Sequence, residues 1–226
     1  MSQVKVVVFD SNETLLDLSA LDPAFTAAFG DPSARKEWFR QVVELFFTAT
    51  IVDRYRPFDR LADEALTMVA EWRGATVTQD GRRGIMSAML AARAHADVAP
   101  ALERLVAAGI RIAVLTNSTS SAVQAQAGHA GIAGYFERLL SVDAVQCYKP
   151  GRGAYEFAAR ELGVQPGEIR LVATHAWDIA GASAAGCRTA FVSRRGTAPA
   201  RASAPPEIVG ATLAEVVDAI IAADGR

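Results

Sequence analysis

Four short polar stretches carry most of the reactive side chains of this 226-residue sequence: Asp10-Ser11-Asn12-Glu13-Thr14, Thr116-Asn117-Ser118, Lys149-Pro150 and Thr174-His175-Ala176-Trp177-Asp178. A carboxylate becomes a usable nucleophile when desolvated and aimed at an electrophilic carbon, and a covalent ester divides one hard displacement into two easier steps. Asp10, at the end of an apolar run, is placed for that role. Lys149 would hold it ionised by proximity. Thr116 and the turn of Ser11, Asn12 and Thr14 offer hydroxyl and N–H groups for an anionic group of a small ligand. Opening an ester needs water and a base, for which Asp178, oriented or assisted by His175, is the available pair. Each residue also has a plainer reading. Asp10 could be a helix N-cap, Lys149 a solvated loop lysine, His175 a satisfied histidine, and Trp177 and Tyr155 core aromatics.

These residues gain meaning from the elements that must hold them. Val4 to Phe9 is a β-branched run that reads as a buried strand of a parallel sheet, with Asp10 at its C-terminal end. Similar runs cover Arg111 to Leu115, Ile169 to Ala173 and Thr189 to Val192. Helical patterning at Pro100 to Ala108 and Gly153 to Leu162 separates them, and a last helix covers Leu213 to Ala222. Strands alternating with helices predict an α/β fold with a doubly wound parallel-sheet core. In such a sheet ligands bind beyond the C-terminal strand ends, where three of the four polar stretches lie.

Nearly a hundred residues separate the first strand from the second, far more than one crossover helix requires. Trp38, Phe39, Val42, Val43, Leu45, Phe46 and Phe47 recur there at helical spacing, as do Leu61, Ala65, Met68 and Val69. The division expected is a core of residues 1–14 and 97–226 with an inserted helical cap of residues 15–96. The Pro/Ala/Ser-rich stretch 197–206 reads as a loop.

Composition narrows the partners. Hydrophobic residues make up 51% and charged residues 21%, with 23 basic against 25 acidic side chains, which gives no electrostatic reason to expect nucleic acid or anionic lipid. No apolar run approaches the roughly 20 residues needed to span a bilayer, and no targeting segment is read at the start. Two cysteines, Cys147 and Cys187, without a Cys-x-x-Cys pair, fit a reducing cytoplasm and point to no structural zinc. No cofactor or metal is expected, and a homodimer stays open. Only Lys5, Lys36 and Lys149 are lysines, so a site that needs an ammonium has few candidates.

The order strand-Asp10…Thr14, strand-Thr116-Asn117, Lys149-Pro150 and strand-…Asp178 resembles the haloacid dehalogenase superfamily along the whole chain. Members use the first aspartate as a covalent nucleophile. Most are magnesium-dependent phosphatases with an Asp-x-Asp-x-Thr motif and two or more acidic residues near the fourth motif. Here the second motif position is Asn12, and the fourth motif offers Asp178 beside an indole.

The chain is further similar to the type II L-2-haloacid dehalogenases, through Arg40 in an aromatic helix, Asn117, Tyr155 and Ala176-Trp177-Asp178. That resemblance implies hydrolytic dehalogenation of short L-2-haloalkanoic acids to 2-hydroxy acids through an aspartyl ester. It also implies a halide cradle of Arg40, Asn117 and Trp177. The chain departs from the usual pattern at His175, where asparagine is usual, and at Ala173, where serine is frequent. Arg40 has a competing explanation as a surface partner of Glu37 or Glu44. Two other functions remain open: a magnesium-dependent small-molecule phosphatase and a non-catalytic binding member of the fold.

Overall fold

The computed structural model describes residues 3–202 and 205–225. Its strands β1 (Val6–Phe9), β2 (Arg111–Thr116), β3 (Arg138–Ser141), β4 (Ile169–Ala173), β5 (Arg188–Val192) and β6 (Ile208–Gly210) form one sheet in the order β3-β2-β1-β4-β5-β6. Every neighbouring pair is parallel. All four residues of β1 are buried, as an uninterrupted apolar run requires when both faces of a parallel sheet are covered. β1 lies between β2 and β4. The chain therefore leaves β1 toward one edge and later returns past it to build the other. The crevice at its C-terminal end is the switch point where open α/β sheets bind ligands.

Helices α1 (Asp22–Phe29), α2 (Ala34–Ile51), α3 (Phe58–Trp72) and α4 (Gln79–Leu90) follow β1, and α5 (Val98–Ala107) leads into β2. The sheet half adds α6 (Ser120–His129), α7 (Arg152–Leu162), α8 (Ala176–Ala184) and α9 (Leu213–Asp224). In α2, Ala34, Trp38, Val42, Phe46 and Ala49 are buried at spacings of three or four residues, the stripe that one face of a helix presents. The Trp38 indole donates to the Ala62 carbonyl at 2.9 Å, which locks α2 onto α3. Truncating a ring such as Trp38 would cost about 3–5 kcal/mol.

Strands β3 and β6 are absent from the sequence reading. Both are edge strands of three or four residues, too short for a clear apolar run. Of the 197–206 stretch, positions 203 and 204 lie outside the described residues. Among the described residues no helix is long and apolar enough to cross a membrane.

Candidate active site

The C-terminal ends of β1, β2 and β4 bring three of the polar stretches together, and the Lys149 loop closes over them. Lys149 is fully buried and spends all three ammonium hydrogens: on Asp10 Oδ1 at 2.8 Å, on Asp178 Oδ2 at 2.6 Å and on the Leu115 carbonyl at 2.8 Å. Burial alone would raise the Asp10 carboxyl, but the Lys149 charge and the His175 ring outweigh it and hold Asp10 well below the usual carboxylate range. Asp178 receives a second donor, the Tyr155 hydroxyl, at 2.7 Å from Oδ1. Burial dominates there and pushes that carboxyl up.

The other Asp10 oxygen has different partners. Oδ2 accepts from the Thr14 hydroxyl at 2.7 Å and lies 3.1 Å from His175 Nδ1. Thr14 is itself fixed, because its Oγ1 accepts from the Thr174 backbone N–H at 3.0 Å. His175 Nε2 lies 3.1 Å from Glu13 Oε2. Burial would push the imidazole down, yet its hydrogen bonds to Asp10 and Glu13 outweigh that and push it up to about 9. At neutral pH the ring is therefore an imidazolium. The expected pair thus has separate side-chain partners: His175 turns to Asp10 and Glu13, and Asp178 turns to Lys149 and Tyr155.

Aromatic rings fix the imidazole from outside. Trp177 stacks on it with ring centres 5.0 Å apart and an interplanar angle of 18°, and Phe39 of α2 lies 5.9 Å away. Phe46 and Phe47 meet the Trp177 ring edge-on.

Other expected site residues have more local partners. Asn117 clasps the Lys149 peptide unit: its Oδ1 accepts from Lys149 N at 2.9 Å and its Nδ2 donates to Lys149 O at 3.1 Å, leaving one amide hydrogen. Asn12 donates to Ser118 Oγ at 3.0 Å and accepts from Gln126 at 3.4 Å, so its amide is drawn toward α6. Thr116 Oγ1 accepts from Ser118 N at 3.1 Å, and Ser11 is buried beside Asp10. Arg40, expected beside Asn117 and Trp177, stands exposed on α2, and among the described residues no salt bridge joins it to Glu37 or Glu44. Glu37 is taken by Arg73, at 2.7 Å and 2.8 Å. Helical rotation explains the difference, since α2 buries Trp38 and Phe39 and carries the next residue round toward solvent.

A sequence model of haloacid dehalogenase-like hydrolases matches residues 4–186, most of the chain and all of the clustered residues just described. The chain belongs to that family. Two relatives support it along nearly the full length. The (S)-2-haloacid dehalogenase 4A of Burkholderia cepacia is 31% identical over 91% of this chain and 90% of its own. The (S)-2-haloacid dehalogenase of Pseudomonas sp. (strain YL) is 29% identical over 100% and 98%. A solved dehalogenase with an intermediate complex superposes with a TM-score of 0.90 at 28% identity, and all of both chains is covered.

Many hydrolases of this superfamily work with magnesium, and the donor set here does not fit one. All four oxygens of Asp10 and Asp178 are already met by donors, from Lys149, Thr14, His175 and Tyr155, which leaves neither carboxylate open to a divalent ion. Among the described residues no three His, Cys, Asp or Glu side chains gather in a metal-holding group. Glu13 and Arg35 are site residues that the sequence reading left without a role. Glu13 sits in the same strand-end turn as Asp10, so its position was visible and its reach was not. Arg35, buried and 3.6 Å from Glu13, occupies the face of α2 that Arg40 misses.

Proposed function

We propose that the protein hydrolyses short L-2-haloalkanoic acids to 2-hydroxy acids through an ester on Asp10. The observation that carries this reading is the unequal loading of the Asp10 carboxylate. Among the described residues, Oδ2 takes two donors, Thr14 and His175, whereas Oδ1 takes only Lys149. Oδ1 is thus the freer oxygen and attacks C2 of the haloacid, expelling halide and inverting that carbon.

The remaining roles follow from placement. Lys149 holds Asp10 ionised and later supplies a proton at Oδ1. Asp178, its partner at 2.6 Å, is the group available to take a proton from the hydrolytic water. Tyr155 positions Asp178. The free amide hydrogen of Asn117 and the positive edge of the Trp177 indole face the halide. Arg40 shares an α2 stripe with Phe47, two turns on, whose ring meets Trp177, and it acts from the rim once substrate is bound. Thr116 and the turn of Ser11 and Asn12 receive the substrate carboxylate. Residues 15–96 form a cap over a core of residues 1–14 and 97–226. Two free thiols are consistent with a cytoplasmic setting.

Halide release from 2-chloropropionate and 2-bromopropionate, measured with chelator present, tests the reading. Release unaffected by chelator is expected; hydrolysis of phosphate esters that requires magnesium would overturn it. In heavy-oxygen water a single turnover should place the label in Asp10 first. Label in the hydroxy acid during that first turnover would replace the ester with direct attack by water.

A further inference from the structure

We propose that Glu13 and His175 form a charged dyad whose Nδ1–H, together with the Thr14 hydroxyl, makes the oxyanion hole for hydrolysis of the Asp10 ester. The inference rests on the ester mechanism above and adds a positioning residue, Glu13, and a second-step role for His175.

The geometry determines the protonation of the ring. Ionised carboxylates only accept hydrogen bonds, and both imidazole nitrogens lie 3.1 Å from a carboxylate oxygen, so both must carry hydrogen. A doubly protonated ring donates and has no lone pair for water. The groups around it agree with a held charge. Asp10, backed by Lys149, faces Nδ1; Glu13 faces Nε2, with Arg35 3.6 Å behind it and shared with Asp22; Trp177 stacks on the ring, Phe39 lies beside it, and Asp178 is already paired with Lys149.

The two Asp10 oxygens then separate by task. Once Oδ1 carries the substrate carbon, Oδ2 is the ester carbonyl oxygen. Water adds to Cγ, and the Cγ–Oδ2 π electrons move onto Oδ2, where Thr14 Oγ1 at 2.7 Å and His175 Nδ1 at 3.1 Å already stand at oxyanion-hole distances. Collapse breaks the Cγ–Oδ1 bond. Oδ1 leaves as the oxygen of the 2-hydroxy acid and takes its proton from Lys149, which is resupplied by the proton that the water gave to Asp178. The new Asp10 carboxylate keeps the water oxygen, and the remaining proton goes to solvent.

Glu13 bears the marks of a residue kept for this purpose. Its φ of 61° lies in the left-handed region, sparsely populated by residues other than glycine, and that backbone aims its side chain at His175 and Arg35.

The test is rapid-quench kinetics on wild type, Glu13→Gln, Glu13→Gly and His175→Asn, following halide, trapped ester and hydroxy acid from pH 6 to 10. Glycine suits the backbone at position 13, so Glu13→Gly keeps the fold if glutamine does not. Wild-type ester hydrolysis should be flat through neutral pH and fall as the imidazolium loses its proton. In the Glu13 variants that fall should begin about one pH unit lower or more, because a neighbouring charge has gone. His175→Asn should slow ester hydrolysis on the order of 100-fold, more than it slows halide release, so that the ester accumulates. A wild-type rate that rises with pH, or a fall that stays in place in both Glu13 variants, would overturn the dyad. So would ester hydrolysis by His175→Asn at the wild-type rate. Absence of halide release from every 2-haloacid would instead remove the ester mechanism beneath it.

Discussion

The Tyr155 hydroxyl donates to Asp178 Oδ1 at 2.7 Å, and this hydrogen bond joins α7 to the carboxylate that Lys149 holds from the opposite side. Burial and the neighbouring Asp178 charge hold the phenol well above its ordinary value, so it remains a donor at every pH of interest. Tyr155→Phe removes one donor from a buried carboxylate and should cost about 1.5–3 kcal/mol in a urea melt. Asp178 then titrates still higher, and the acid limb of turnover should move to higher pH. An unchanged limb would show that Asp178 is not the group that titrates in turnover.

Lys149→Met leaves the Asp10 and Asp178 carboxylates buried without their cation. Breaking a buried pair in this way costs about 3–5 kcal/mol, and turnover should be lost with it. Asp10 titrates below its unfolded value, so the Lys149 contribution is present above the unfolded pKa and fades as pH falls. The stability gap between variant and wild type should therefore narrow in acid. The narrowing belongs below the ordinary aspartate value of 3.8, so equal gaps at pH 7 and about pH 2 would contradict the pairing.

His175 gives the opposite sign. Its folded pKa is raised from 6.5 to about 9, so its contribution is complete below the unfolded value and is lost as pH rises through about 9. Wild-type stability should decline between pH 7 and 10, and His175→Asn should flatten that decline. Urea midpoints across the range measure it, and a parallel decline in the variant would assign the loss to another group.

Arg40 is exposed and, among the described residues, holds no salt bridge, so Arg40→Lys should leave stability within about 0.5 kcal/mol of wild type. If the guanidinium reaches the halide from the rim, turnover should still drop, because lysine lacks the planar fork. Normal turnover by the variant would remove Arg40 from the reaction.

Much of this arrangement was legible in the sequence because central parallel strands are uninterrupted apolar runs. Val6–Phe9 and Ile169–Ala173 are buried throughout, and the rule that sites lie beyond strand ends led directly to Asp10, Asn117 and Asp178. Edge strands obey a weaker constraint. Ile208–Gly210 has three residues and an exposed Val209, so nothing in its pattern separates it from a loop. On α2 the periodicity identified a helix without fixing its rotation against the sheet, and rotation decides that Arg35 points in and Arg40 out. Glu13 was hidden for another reason. A left-handed backbone at a glutamate runs against local preference, and only the tertiary contacts to His175 and Arg35 reveal why it is tolerated.

Phe39 belongs to α2 and Trp177 to α8, and the imidazole that touches Asp10 lies against both rings. The seat of that imidazole thus depends on a contact between α2 and α8, segments far apart in sequence. Mild heat or dilute denaturant should shift α2 and scatter this stack while β1 to β5 remain paired. The protein would then lose its activity well before its circular dichroism changes, a molecule disarmed while still folded.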